Sequence, residues 1–424
     1  MINQEASQAV AATRLNAHIG KPLYDSYCFS QIPQAVQHVL TGEGSLGLPS
    51  SVLGELPQQY EKVILILVDG FGWRFFEQYG DRFPFLQRIL QTGVASKLTT
   101  QFPSTTAAHV TTIHTGVPVG ESGVYEWFYY EPLLDRIIAP LLYSFAGDKE
   151  RETLKQTQIT AQELYPTQTL YQRLAQQQIR SFCFQHQNYA HSPFSSVVCA
   201  GAEIVSFRTL PEAIVNLTTA AITTPGPAYF FFYIDSLDAI AHQYGPSSAQ
   251  FEAEAHTFWW MMEQLFHQQL CDRLENTLLL ITADHGQIEV SPEATIYLNH
   301  LVPSIEPLLK TNANGMPLVP AGSARDLFLY VQDDHLEKAE ALLTEQLGDR
   351  ATVYRTQTLV EEGYFGANPS SRLRDRLGNL VILPHRHETV WWYEKDRFEQ
   401  RHRGHHGGLS AEEMETILLA MPYG

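Results

Sequence analysis

Three apolar runs, each closed by an aspartate, constrain this chain more than any other feature: residues 62–69 (KVILILVD), 229–235 (YFFFYID) and 277–284 (TLLLITAD). Long apolar runs without polar alternation read as strands buried on both faces, as in a parallel sheet covered by helices. Helical patterns fall between them, at residues 73–91 with Gly93 as a stop, 167–178 and Leu210–Thr223. In a further long helix, Phe251, Ala255, Phe258, Met262, Leu265 and Phe266 mark a core-facing stripe. Residues 94–100 and 180–185 add two more strands. Strands alternating with helices predict an α/β fold, a doubly wound and mostly parallel sheet with helices on both faces.

The expected organisation has three parts. Residues 1–58 form an N-terminal extension packed on the main domain, residues 59–294 and 391–424 the main domain, and residues 295–390 a small α+β insertion. Within the insertion, strands are expected at 326–331, 351–354 and 380–383, and a helix at Leu336–Leu347 with Glu337, Lys338, Glu340 and Glu345 on a solvated face. Residues 117–132 (VPVGESGVYEWFYYEP) read as a loop over the sheet edge, and residues 411–420 as a short helix. The GxGxxG match at Gly42–Gly47 precedes the first strand instead of following it, so it reads as a loop and not a dinucleotide site.

Charge narrows the partners. A net charge of −18 argues against a nucleic-acid polymer or an anionic membrane. No apolar run approaches the ~20 residues of a membrane span. The N-terminal residues lack a basic start followed by an apolar core, so a cytoplasmic location is expected. Cys28, Cys183, Cys199 and Cys271 form no CxxC pair and read as structural thiols, Cys183 and Cys271 beside apolar segments where free thiols are commonly buried.

The chemistry concentrates at strand ends, where open α/β sheets collect ligands. Asp69 closes the first run, and Asp284–His285 closes the third. Asp238 and His242 lie four apart just past the second, so a helical turn would point both the same way. His405–His406 stand in a glycine-rich turn. Aspartate oxygen with histidine nitrogen suits Zn²⁺, with Mn²⁺ or Fe²⁺ as alternatives. Residues 101–116 (QFPSTTAAHVTTIHTG) place Ser104, Thr105 and Thr106 before a helical run. A helix N-terminus offers unpaired N–H groups to an anion such as phosphate, and a hydroxyl there is placed to attack if something lowers its pKa.

The order VDGFG, FPSTTAAHVTTIHTG, DxxxHxxGP, ADHG and GHHGG resembles the type I phosphodiesterase/nucleotide pyrophosphatase branch of the alkaline phosphatase superfamily, over residues 61–287 and again 378–420. The resemblance implies two divalent ions, one held by Asp238, His242 and His406, the other by Asp69, Asp284 and His285. It implies Thr106 as the nucleophile and a ligand, with Thr105 as the register-shifted alternative. His109 stands where the family usually has Asn, as a possible phosphoryl-oxygen donor; Ala241 and Asn379 also depart from the usual pattern. The implied activity is hydrolysis of a phosphodiester or pyrophosphate in a small phosphate ester, a nucleotide among the candidates, through a phospho-threonine intermediate. Two ions ~4 Å apart would flank the reacting phosphoryl group. Trp127, Phe128, Tyr129 and Tyr130 either stack on a flat leaving group or anchor their loop. A phosphomonoesterase or phosphomutase, and an inactive phosphate-ligand-binding protein, are the alternatives. A sulfatase is disfavoured, because its Cys/Ser-x-Pro-x-Arg signature is missing.

Overall fold

The computed structural model describes residues 1–14 and 20–424; residues 15–19, inside the expected N-terminal extension, lie outside the described residues. Seven strands build the central sheet: β1 (Lys62–Val68), β2 (Val94–Thr99), β3 (Arg180–His186), β4 (Glu203–Phe207), β5 (Ala228–Ile234), β6 (Thr277–Thr282) and β7 (Glu415–Tyr423). Their order is β2-β7-β6-β1-β5-β3-β4. All neighbours run parallel except β7, which is antiparallel to both β2 and β6. The doubly wound, mostly parallel α/β sheet expected from the apolar runs is the observed one.

Alternation along β1 divides the core. Val63, Leu65 and Leu67 pack into one buried cluster, while Ile64, Ile66 and Val68 pack into the cluster on the opposite face. Both sets are fully buried, which is why the run lacks polar positions. The Phe251–Phe266 stripe lies in the second cluster, on the Ala249–Met261 helix and the π-turn Met262–His267 that continues it.

Several local expectations are corrected. Residues 73–91 form two helices, Trp73–Tyr79 and Pro84–Thr92, because Pro84 lacks an N–H to continue the first and starts the second instead. The C-terminal helix stops at Met414 after one turn, and the apolar run after it becomes β7, drawn into the gap between β2 and β6. The aromatic loop after Gly116 contains the helix Val119–Ser122 and the strand Tyr129–Glu131. Strand β4 was not expected at all. Cys271 is exposed, whereas the other three thiols are buried.

Towards the C-terminal half, Leu327–Leu329, Ala351–Arg355 and Leu380–Pro384 form an antiparallel three-stranded sheet with the helix Leu336–Leu347 and a buried cluster of their own. Asn379 pairs with the backbone of Val331 there, away from the main sheet's ligand edge. At the other end, the helix Gln4–Ala12 lies along β2, with Asn3 N–H donating to the Ala95 carbonyl at 2.8 Å. Among the described residues no helix is long and apolar enough to cross a membrane.

Candidate active site

Register decides which acids meet. β1 and β6 pair with Leu67 opposite Thr282, so Asp69 and Asp284, each two residues further on, leave the sheet side by side. β1 and β5 pair with Val68 opposite Ile234, after which the chain enters the helix Ser236–Tyr244 carrying Asp238 and His242. Gly70 has φ +73°, and a Cβ on it would stand 3.1 Å from Asp238 Oδ1. Glycine therefore lets the turn after β1 pass close under that acid.

Six side chains gather at this edge in two sets, Asp69, Asp284 and His285, and Asp238, His242 and His406, the donor atoms of each set lying within 4.8 Å of one another. His285 Nε2 is 3.4 Å from Asp69 Oδ1 and 3.3 Å from Asp284 Oδ2. His242 Nε2 is 3.3 Å from Asp238 Oδ2, and His406 Nε2 is 3.9 Å from Asp238 Oδ1. The His285 and His406 rings stack with centroids 3.5 Å apart, which brings the two sets against each other.

Backbone carbonyls orient all three imidazoles. Nδ1 of His242 donates to Gly404 O at 2.7 Å, that of His285 to Gly286 O at 3.0 Å, and that of His406 to Ser104 O at 2.9 Å. A carbonyl only accepts, so each Nδ1 carries the hydrogen and a neutral ring turns its Nε2 lone pair inward. Burial lowers the His285 pKa to about 4 and that of His406 to about 3, so both rings are neutral near pH 7. Asp69 Oδ1 and Asp284 Oδ2 are buried and have no hydrogen-bond partner. Three ligand-type atoms thus converge at His285 without a hydrogen bond between them. A divalent cation satisfies that arrangement, and the oxygen and nitrogen donors suit Zn²⁺, Mn²⁺ or Fe²⁺.

The acids differ in state. Burial, then the charges of Asp284 and Asp238, push the Asp69 carboxyl well above its ordinary range, and burial likewise raises Asp284. Burial also acts to raise Asp238, but the imidazoles of His242 and His406 outweigh it and hold that carboxyl low. For His242, burial lowers and Asp238 raises; the net shift is upward, the mark of an ion pair.

Thr106 opens the helix Thr106–Thr115, with Thr105 as N-cap residue. Its Oγ1 lies 3.1 Å from His285 Nε2. The neighbouring hydroxyls face elsewhere: Thr105 donates to Tyr125 O and Ser104 to Gly408 O, each at 2.8 Å. His109 departs from the expected donor role. Its Nε2 accepts from the Gln101 N–H at 2.8 Å and its Nδ1 donates to Thr105 O at 2.7 Å, so both nitrogens are committed inside the core. The ring instead splints the Thr-rich turn to its helix.

Sequence reasoning missed several neighbours. The Tyr233 hydroxyl donates to Asp69 Oδ2, and the Gln287 amide donates to Asp238. Two cavities meet at Thr106, Trp127, Asp238, His242 and His402. The first, about 410 Å³, continues along Phe128, Trp391, Phe398, Arg397 and Arg401; the second, about 450 Å³, runs towards Arg151, Tyr189 and Phe194. Of the aromatic run, Trp127 and Phe128 line these cavities, whereas Tyr129 is fully buried and Tyr130 bonds Asp135. The cationic side chains come from segments distant in sequence, and no local pattern marks them. A tyrosine as the next-to-last residue of the apolar run YFFFYI was the one available hint of Tyr233.

The family model described as type I phosphodiesterase / nucleotide pyrophosphatase matches residues 63–409. This chain belongs to that family. Murine ectonucleotide pyrophosphatase/phosphodiesterase 5 is 17% identical with a TM-score of 0.63, covering 85% of this chain and 88% of the murine one. The human protein of the same name is 16% identical with a TM-score of 0.62 over the same shares. An inactive form of the murine protein, solved in complex with AMP, is equally similar. These likenesses extend the family assignment to the fold. Among curated proteins, none matches the sequence.

Proposed function

We propose that this family member hydrolyses phosphodiester or pyrophosphate bonds of small, nucleotide-like substrates, with Thr106 as nucleophile. The observation that carries the reading is Thr106 Oγ1 at 3.1 Å from His285 Nε2, at the junction of the two cavities. In this reading Asp69, Asp284 and His285 hold one divalent ion and Asp238, His242 and His406 the other. Bound there, the ions would supply Lewis acidity that lowers the Thr106 pKa and stabilises charge on the reacting oxygens.

The protein's own groups do the rest. Nδ1–H bonds to backbone carbonyls hold the three imidazoles with Nε2 inward, and the Tyr233 hydroxyl and the Gln287 amide, donating to the Asp69 and Asp238 carboxylates, fix those rotamers. The N–H groups of the first helical turn face non-bridging oxygens. Thr106 Oγ loses its proton to solvent and bonds to phosphorus as the bond to the leaving oxygen breaks and that group departs into one cavity; water then cleaves the phospho-threonine and restores the hydroxyl.

Two cavities sharing the nucleophile suit a phosphoryl group bearing two organic arms. Trp127 and Phe128 offer a flat arm aromatic surface, and the AMP complex of the murine relative makes a nucleotide a reasonable occupant. A monoesterase reading keeps one supporting observation, Arg151 in the second cavity, which could meet a second phosphate charge. The test is turnover of bis(p-nitrophenyl) phosphate against p-nitrophenyl phosphate, with and without chelator. The diester should be cleaved faster and only with metal present. Faster monoester cleavage overturns the assignment, and no activity in metal-replete protein favours a binding role.

A further inference from the structure

A second cluster of metal-type donors lies behind the active site and uses none of the groups assigned to phosphoryl chemistry. Cys183 of β3, Cys199 at the end of the helix Pro193–Val198 and His114 in the last turn of the Thr106–Thr115 helix bring their donor atoms within 4.8 Å of one another. All three are buried, at 0%, 2% and 1% exposure. We propose that Cys183, Cys199 and His114 form a separate binding site for one thiophilic cation of the Zn²⁺ class.

Geometry supports this. Tetrahedral Zn–S bonds of about 2.3 Å place two thiolate sulfurs about 3.8 Å apart. Cys183 Sγ and Cys199 Sγ are 3.8 Å apart, and Cys199 Sγ is 3.9 Å from His114 Nδ1. Tyr171 closes the fourth side, its hydroxyl 2.6 Å from His114 Nδ1 and also in contact with the Cys183 thiol. Gln185, 3% exposed, packs directly against the cluster, its amide nitrogen 3.4 Å from His114 Nε2 and 3.7 Å from Cys199 Sγ. Turned so that its amide oxygen accepts from His114 Nε2–H, Gln185 would leave Nδ1 as the lone-pair nitrogen, accepting from the Tyr171 hydroxyl until an ion displaces that bond. His114 and Gln185 also line the second cavity, which gives an ion a route inward.

Binding would proceed with loss of both thiol protons to solvent and no redox change. With Tyr171 of the Leu170–Gln176 helix packed against it, the ion would tie together three elements: β3, the helix bearing Thr106 at its other end and the Pro193–Val198 helix. The last of these carries Phe194 and Ser195 into the second cavity. The site therefore braces one wall of the substrate region from behind.

Cd²⁺ is the probe, because only thiolate ligation gives its ultraviolet charge-transfer band and the two aspartate–histidine sets contain no sulfur. Added to the full-length protein with its other metals in place, Cd²⁺ should produce that band with saturation at one equivalent per chain. Cys183→Ser and Cys199→Ser should each lose it, and Cys271→Ser, at an exposed thiol, should keep it. A wild-type protein that stays folded by circular dichroism yet gives no band overturns the proposal without recourse to any variant. So does a band that survives Cys183→Ser, or an as-isolated mass two hydrogens light that maps to a Cys183–Cys199 disulfide.

Discussion

The two aspartate–histidine sets draw on the same two residue types in opposite proportion, two acids and one imidazole against one acid and two imidazoles, and differ in how they stand without a cation. Asp69, Asp284 and His285 have side chains at most 3% exposed, and the facing carboxylate oxygens make no hydrogen bond. Asp238, His242 and His406 are 11–17% exposed at the cavity junction, and Asp238 with His242 makes an ion pair that satisfies itself. Burying like charges is costly, whereas an ion pair at a partly wet edge is not. The inner set is therefore expected to need its ion for local integrity, and the outer set to exchange its ion more readily.

That contrast can be broken by mutation. Asp284→Ala should lose about one metal equivalent by elemental analysis and at least about 10³-fold in turnover, since on the proposed function it removes an inner ligand beside Thr106. Asp238→Ala should lose the other equivalent while the inner ion stays; unchanged metal in either variant would contradict the grouping. A chelator time course should then show one ion leaving quickly and the second slowly, with the fast phase abolished in Asp238→Ala. A single phase releasing both ions together would erase the distinction. Tyr233→Phe, which frees Asp69 Oδ2, should weaken the inner ion about 10–100-fold, seen by competition with a chromogenic chelator.

Protons give the smallest effect. His109 titrates at 6.5 when exposed and, mainly through burial, at about 4 in the fold. Between those values the unfolded chain binds a proton that the native state refuses. Its contribution to stability is thus intact above the higher value and is lost as pH falls towards the lower one, by about 2 kcal/mol near pH 5. Urea unfolding of wild type and His109→Gln at neutral pH and near pH 5 checks this. The variant should show a shallower loss on acidification, and parallel curves would rule the histidine out as the cause.

How far the sequence reaches follows from the kind of information each feature needs. The parallel strands were legible because burial on both faces keeps the interiors of β1, β5 and β6 almost free of polar residues, and the acids just past them flagged the ligand edge. β7 was not, because the Ser410–Glu413 capping box does start a helix, and only the open place between β2 and β6 turns residues 415–423 into a strand. Strand β4, with several polar or half-exposed positions at the sheet's end, left a weak pattern. Candidate ligands could be named from strand ends, but which imidazole tautomer faces inward depends on carbonyls far away in sequence, such as Ser104 for His406. His109 shows the reverse: a polar residue one helical turn from Thr106 whose nitrogens are both taken by the backbone. The Cys183–Cys199–His114 cluster was invisible because its spacing follows no short motif.

The central claim is that the Thr106 hydroxyl, set against the two ligand groups, carries the chemistry. Turnover of bis(p-nitrophenyl) phosphate by Thr106→Ala and Thr105→Ala, each with its metal content determined, tests it most directly. Thr106→Ala should keep both ions and lose turnover, while Thr105→Ala stays active. Full rate in Thr106→Ala with loss in Thr105→Ala would contradict it.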